Sequence, residues 1–338
     1  MQGSCSVLIY GSGRLARLVG VECVRLGHVV TLAGRHRGRV QACANEVGAD
    51  GFLVATPADA VSAASQFVPI VVINTAGPYA ETAPPLIDAA TGAGIHYLDA
   101  ANEPRALDAA FAAHDKALSA GVSILPGLGF GVAVAEAVAV EALHQCPTAT
   151  ELRLVFTAGG SSSSSPGGRA SAMTLLAAGP MMIRDGRRTR AWRGVRRHGS
   201  LRREYLVPLL SGDPVALQHS LAIPNITAFF RLPLASLPIL LVAPLASWVL
   251  RVPWFRRQLS RARKPSAVAP VTVRTVQGVA TSPDGRCVQV SRSARGGVEV
   301  AARLLLAGLR VIISGAAQPG VRTPHQTFTT RELQRLLD

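Results

Sequence analysis

The chain has 338 residues, 49% of them hydrophobic and 16% charged, which excludes a disordered protein and, with roughly 75% of the unfolded surface buried, gives room for two domains. A net charge of +15 raises nucleic acid as a partner, but no recognition motif or aromatic–basic stacking platform accompanies the arginines, and nucleic acid is set aside. Only two of the 35 basic residues are lysines, Lys116 and Lys264, so part of the charge reads as codon usage in a GC-rich genome.

Val7-Leu8-Ile9-Tyr10 is an apolar run ending at glycine, as a buried parallel strand does. Arg14 to Leu26 follows with helical spacing, Leu15, Leu18, Val19 and Cys23 recurring at three and four, and Gly27 stops it. A strand at Val29–Ala33, a helix near Val40–Val47, a strand at Gly51–Val54 and a helix near Asp59–Ser65 continue the series. The strand Ile70–Asn74, a helix near Pro84–Ala93, the strand His96–Asp99, a helix over Ala106–Ala120 and the strand Val122–Leu125 complete it. Strand–helix alternation at this spacing implies right-handed crossovers and an α/β fold, a Rossmann-type doubly wound parallel sheet.

After Pro126 the pattern changes. Glu151–Thr157 alternates like a half-buried strand, Gly159–Gly168 reads as a Gly/Ser connection, and Ala170–Ala178 as a short helix. Met181–Arg203 is arginine-rich with few apolar residues, a solvated loop or hairpin. Strands return at Val271–Val279 and Arg286–Ser291 around the turn Ser282-Pro283-Asp284-Gly285. Helices near Val298–Ala307 and Thr329–Leu337 close the chain. The expected division is a dinucleotide-binding domain over 1–130, with 298–338 packing back on it, and a mixed α/β capping domain for the substrate over 131–297.

The five cysteines form no Cys-x-x-Cys pair and the eight histidines are scattered, so neither a disulfide framework nor a metal site is expected. No basic n-region or long apolar leader opens the sequence. The expected location is therefore the cytoplasm.

Gly11-Ser12-Gly13-Arg14-Leu15-Ala16 matches G-x-G-x-x-G/A between a strand and a helix. The first glycine permits the tight turn, the second lets backbone approach a pyrophosphate, and Ala16 allows close helix–strand packing above the helix N-terminus. The end of the second strand selects the cofactor. NAD sites carry an acid there for the ribose 2′-hydroxyl. This chain has Gly34-Arg35-His36-Arg37, and a guanidinium suits the 2′-phosphate of NADP(H). Arg35, helped by Arg37 or Arg39, is the expected ligand, and NADP is favoured over NAD and FAD.

Several stretches resemble the saccharopine dehydrogenase-like oxidoreductases, particularly the branch containing the trans-acting enoyl reductases. They are Gly11–Ala16 with Leu32-Ala33-Gly34-Arg35, Asn74-Thr75-Ala76-Gly77-Pro78-Tyr79, His96 to Glu103, and Pro126 to Phe130. The match covers the first 130 residues well and the rest patchily. Asn102 stands where the family pattern Asp-x-x-Gly-Glu has glycine, and the serine loop Ser161–Ser165 also departs. The resemblance implies an NAD(P) Rossmann domain, a mixed domain covering the nicotinamide, and hydride transfer to an enoyl or imine group.

The same stretches all follow predicted strands, at the edge where open parallel sheets bind ligands. Thr75, Ala76, Gly77, Pro78 and Asp99 are therefore candidates for the nicotinamide side. Tyr79, Asn102 and Glu103 are candidates for the proton or hydrogen-bond donor. Each also has a structural reading: Tyr79 as a packing residue, Asp99 as a turn cap, Glu103 as the surface partner of Arg105. No Tyr-x-x-x-Lys relay, Gly-x-Ser-x-Gly or Walker sequence is present.

Phe229–Leu250 is the most apolar window, interrupted by Pro233, Pro238 and Pro244 and followed by Arg251, Arg256, Arg257, Arg261, Arg263 and Lys264, with Trp248 and Trp254 at the junction. The prolines argue against a spanning helix. A segment at an anionic membrane surface, reached over 229–264 from the inner face of the membrane, a homodimer interface, an acyl-chain tunnel and ordinary core all remain open. The sequence thus describes an NADPH-dependent reductase of a C=C or C=N bond in a lipid-like or secondary-metabolite intermediate, free or carrier-bound. The rival is a cofactor-binding, non-catalytic, membrane-associated interaction protein.

Overall fold

The computed structural model describes residues 4–158, 179–190, 196–197, 204–208, 211–233, 273–295 and 297–338. The expected Gly/Ser connection, the helix over 170–178 and the apolar window beyond Pro233 lie outside them. The chain divides into two compact units, Met1–Ala133 with Gly297–Leu336, and Val134–Gly296 with Leu337–Asp338.

In the first unit, β1 (Ser6–Tyr10), α1 (Arg14–Arg25), β2 (Val29–Gly34), α2 (Arg37–Val47) and β3 (Gly51–Val54) form one half of a doubly wound sheet. The other half comprises α3 (Ala60–Ala63), β4 (Val71–Asn74), α4 (Tyr79–Gly92), β5 (His96–Asp99), α5 (Pro104–Ala112), α6 (His114–Ser119) and β6 (Ser123–Leu125). The spatial order is β3-β2-β1-β4-β5-β6, all parallel. Val7, Leu8, Ile9, Val71, Val72 and Ile73 are fully buried, which is why these strands read as continuous apolar runs.

Two helices differ from the expectation, each for a physical reason. The Pro84-Pro85 pair suggests a helix start, yet α4 begins at Tyr79 and carries both prolines inside. Glu103, distant in sequence, receives the N–H groups of Tyr79 and Ala80, so the first turn is capped from outside its own sequence. The helix expected over 106–120 is broken at Ala113 (φ −86°, ψ 4°), which ends α5 and starts α6.

In the second unit, α7 (Phe130–Gln145), which starts in the first, leads to β7 (Glu151–Ala158) and the hairpin of β8 (Met181–Arg184) and β9 (Arg187–Arg190). Then come β10 (Arg196–Arg197), β11 (Glu204–Pro208), α8 (Asp213–Ser220), β12 (Asn225–Pro233), β13 (Val273–Thr281) and β14 (Cys287–Arg295). The sheet order is β10-β11-β12-β7-β13-β14, with β8 on β12 and β9 on β8. Among the described residues of this unit, β12 and β7 pair in parallel and the other pairs are antiparallel. Gly278 of β13 is where α7 meets this sheet, since a Cβ there would lie 2.5 Å from Val138 Cγ1. The arginine-rich stretch is in part the β8–β9 hairpin, turning at Asp185 and Gly186 with positive φ (50° and 72°).

The chain returns to the first unit as α9 (Gly297–Ile313), β15 (Gly320–Val321), α10 (Pro324–Thr327) and α11 (Thr330–Leu337). β15 adds a seventh parallel strand beside β6. Gly308 lets α9 press on the sheet, because a Cβ there would stand 2.8 Å from both Leu98 and Leu128. Among the described residues, no helix is long and apolar enough to cross a membrane, and no cluster could hold a metal ion.

Candidate cofactor site

The strand order reverses direction between β1 and β4, the switch point at which open parallel sheets bind ligands outside their carboxyl ends. Ala33, Tyr10, Asn74 and Asp99 stand in register across β2, β1, β4 and β5, a row about 14 Å wide at ordinary strand spacing.

Gly11 closes the first turn at φ 135°, donating its N–H to Ala33 O at 2.8 Å. A Cβ on it would stand 2.3 Å from Thr75 Oγ1, and Thr75 is itself fixed by donating its N–H (2.8 Å) and hydroxyl (3.0 Å) to Tyr10 O. Gly13 differs. It precedes α1 in extended conformation with no side-chain cap, and among the described residues a Cβ there would meet nothing within 4 Å. The first N–H groups of a helix have no intrahelical partner, and a helix start without a side-chain cap is the kind that accepts a phosphate. Ala16 is fully buried. Ser12 and Leu15 are half-buried in the turn, with Ser12 O accepting from Arg17 Nη1 at 3.3 Å. The exposed Arg14 forms an ion pair with Glu299 of α9.

At the end of β2, Arg35, His36, Arg37 and Arg39 are all exposed. The Arg37 guanidinium lies 5.9 Å from the centroid of the Phe52 ring. α2 begins at Arg37 with no acid in its first turn and no side-chain cap. Cations at a helix N-terminus oppose the macrodipole, so this end is set up for an anion. Arg35 also acts on Tyr10: burial pushes that phenol up to about 12 and the nearby guanidinium pulls the other way.

The Thr75–Tyr79 turn follows β4, with the Gly77–Pro78 bond cis. Glu103, 2% exposed, receives Tyr79 N–H on Oε1 at 2.9 Å and Ala80 N–H on Oε2 at 2.8 Å. Asp99, fully buried, receives the N–H groups of Ala101 and Gly127 on Oδ1, both at 2.9 Å, and the Tyr97 hydroxyl on Oδ2 at 2.8 Å. Burial raises the Asp99 carboxyl, and those three donors oppose the rise. Tyr79 is half-buried. Burial pushes its phenol well up, and the carboxylates of Asp99 and Glu103 add to the effect, so its hydroxyl keeps its proton across the neutral range. Asn102 is half-buried in the turn before α5.

Residues 7–125 match the family model of the saccharopine dehydrogenase NADP binding domain. The chain is accordingly an NAD(P)-dependent oxidoreductase, with a nicotinamide dinucleotide as its cofactor. The fold resembles that of apo saccharopine dehydrogenase (L-Glu forming) from Saccharomyces cerevisiae, with a TM-score of 0.64 at 12% identity over 98% of this chain and 96% of that one. A meso-dapdh mutant from Clostridium tetani aligns over 98% and 99% of the two chains at 12% identity, with a TM-score of 0.49. No curated protein matches the chain.

The NADP binding domain gathers nearly all the residues singled out from the sequence along one edge. Gly11–Ala16 lie at β1, Arg35 and Arg37 at β2, Thr75 to Tyr79 at β4, and Asp99, Asn102 and Glu103 at β5. The residues fit a dinucleotide: a Cβ on Gly13 would meet no atom of the described residues within 4 Å, and α1 starts beside it without a side-chain cap. Asp99 and Glu103, by contrast, have their carboxylates bonded to backbone, holding turns in place. Asn74, Thr82 and Tyr97 were not singled out as site residues. Asn74 and Tyr97 do stand inside the stretches that carry the family resemblance, and that was the available signal.

Proposed function

We propose that the protein is an NADPH-dependent reductase that delivers a hydride to a C=N or C=C bond of a lipid-like or secondary-metabolite intermediate, free or carrier-bound. The observation that carries the cofactor choice is the end of β2, where Arg35 and Arg37 stand exposed at the uncapped start of α2 and no acid is present. In this reading Arg35 pairs with the 2′-phosphate, Arg37 screens it from its stack on Phe52, and Gly11 to Ala16 hold the pyrophosphate. Bound there, the cofactor supplies the hydride.

The chain's own residues supply the rest. Hydride added at an iminium carbon sends the C=N π pair to nitrogen and gives a neutral amine with no further proton needed, so Tyr79, whose hydroxyl stays protonated, serves as a hydrogen-bond donor to that nitrogen, with Asn102 as a second donor. Asp99 and Glu103 do not give up protons; they fix the turns that present Tyr79. Of the two bond types, the charge favours C=N. Two buried carboxylates stand under this end of the edge, and a low-dielectric carboxylate stabilises a cationic iminium and opposes a developing enolate. The residues 131–297 serve as the substrate and capping domain. The test is NADPH oxidation by the purified protein over matched imine and enoyl thioester series. Turnover of imines supports the full reading, turnover of enoyl thioesters alone overturns the bond assignment, and turnover of neither overturns the reductase.

For a partner surface, the exposed Arg187, Arg188 and Arg190 on β9, together with the basic sequence after Leu250, favour an anionic membrane surface reached peripherally. Flotation with anionic and neutral vesicles tests it: enrichment on the anionic set supports the surface, and equal or no enrichment removes it.

A further inference from the structure

Beneath the Thr75–Tyr79 turn a chain of buried hydrogen bonds crosses from β4 to β6. Asn74 receives Ala76 N–H on Oδ1 at 3.0 Å, which fixes its amide so that Nδ2 donates to Thr82 Oγ1 (3.1 Å) and Tyr97 OH (3.0 Å). Thr82 donates onward to Ala76 O at 2.6 Å. With its oxygen already accepting from Asn74, Tyr97 turns its own proton to Asp99, and Asp99 reaches the turn after β6 through Gly127 N–H. Leu128 N–H bonds Asp99 O at 2.7 Å, and Gly129 comes so close that a Cβ would lie 2.9 Å from Ala100 O. Asn74, Tyr97 and Asp99 are all fully buried.

Phenylalanine would fill the same space without the cost of burying a hydroxyl and the groups it serves. The hydroxyl is therefore explained by what it joins. We infer that Tyr97 is a positioning residue: its hydroxyl ties the Ala76–Tyr79 turn after β4 to the Gly127–Phe130 turn after β6, so that the two hold the nicotinamide end of the cofactor in one geometry. This rests on the proposed reading in which those turns flank the nicotinamide. Tyr97 itself touches no reacting atom.

The test compares the full-length protein with Tyr97→Phe, using NADPH and adenosine 2′,5′-bisphosphate, which carries the adenine and 2′-phosphate but no nicotinamide. Tyr97→Phe should raise the NADPH Kd about tenfold and lower the fluorescence gain of bound nicotinamide at saturation, while the bisphosphate Kd stays within about twofold. Thr82→Val loosens the same turn from α4 and should show the same ligand-selective loss, and it serves if Tyr97→Phe does not fold. Wild-type NADPH affinity and fluorescence in both variants overturns the inference and leaves the proposed reading standing. Equal losses for both ligands overturn it too, by making Tyr97 a general fold residue. A wild-type protein that binds the bisphosphate but not NADPH removes the reading beneath it, and the inference with it.

Discussion

Glu103 caps a helix that starts at Tyr79, 24 positions earlier in the chain, by accepting the Tyr79 and Ala80 N–H groups at 2.9 and 2.8 Å. A carboxylate at a helix N-terminus satisfies orphan donors and complements the macrodipole. Glu103→Ala should therefore destabilise the protein by about 3 kcal/mol, and Glu103→Gln, which keeps one acceptor, by about 1–2 kcal/mol. Denaturant unfolding of both variants checks this. A Glu103→Gln protein of wild-type stability but without turnover would instead make Glu103 the proton donor.

Gly11 and Gly13 should fail in different ways. A methyl group on Gly11 meets Thr75 Oγ1 at 2.3 Å in a backbone of φ 135°, so Gly11→Ala lowers the melting temperature of the cofactor-free protein, by roughly 2 kcal/mol or more in stability. On Gly13 it meets no atom of the described residues within 4 Å, so Gly13→Ala keeps the fold and loses cofactor binding, because the methyl takes phosphate space. Melting curves with and without NADPH separate the two, and matching behaviour contradicts the assignment.

Tyr79→Phe isolates the hydroxyl. With its proton held by burial and by the carboxylates nearby, the group acts as a hydrogen-bond donor and not as a general acid, and its loss should cut turnover about 100-fold with the NADPH Kd within about twofold. Steady-state kinetics beside a binding titration reads both. Unchanged turnover makes Tyr79 a packing residue.

Asp99 gives a pH dependence with a definite sign. Its carboxyl is raised by burial against the pull of Gly127, Ala101 and Tyr97, so the fold binds this proton more tightly than the unfolded chain. Its contribution is complete below the ordinary carboxylate pKa of about 4 and is lost as pH rises through the raised folded value. Asp99→Asn cannot titrate. The stability difference between wild type and Asp99→Asn should shift toward wild type as pH falls from about 7 to about 4, as followed by unfolding at each pH. A constant difference contradicts the account.

The Rossmann half of the fold was legible because each central parallel strand is buried on both faces and reads as an apolar run, and because Gly11 to Ala16 carry their geometry locally. α7 was not legible. Gly131 to Ala142 are small and apolar on nearly every side, broken by Glu136 and Glu141 alone, and leave no clear amphipathic period to detect. β15 is two residues long and exists only by pairing with β6. The start of α4 depends on Glu103 and the role of Tyr97 on Asn74 and Asp99, contacts between elements that no local pattern encodes. The site residues were visible as types along one edge, and their division into those that face a ligand and those that hold turns was not.

The most direct test of the account is a titration of the purified protein with NADPH and NADH by nicotinamide fluorescence, repeated on Arg35→Ala. NADPH should bind well ahead of NADH, and Arg35→Ala should weaken NADPH about 10- to 100-fold while leaving NADH within about twofold. Equal affinities in the wild type, or equal losses in the variant, would contradict the 2′-phosphate site at the end of β2 and the NADPH-dependent reductase built on it.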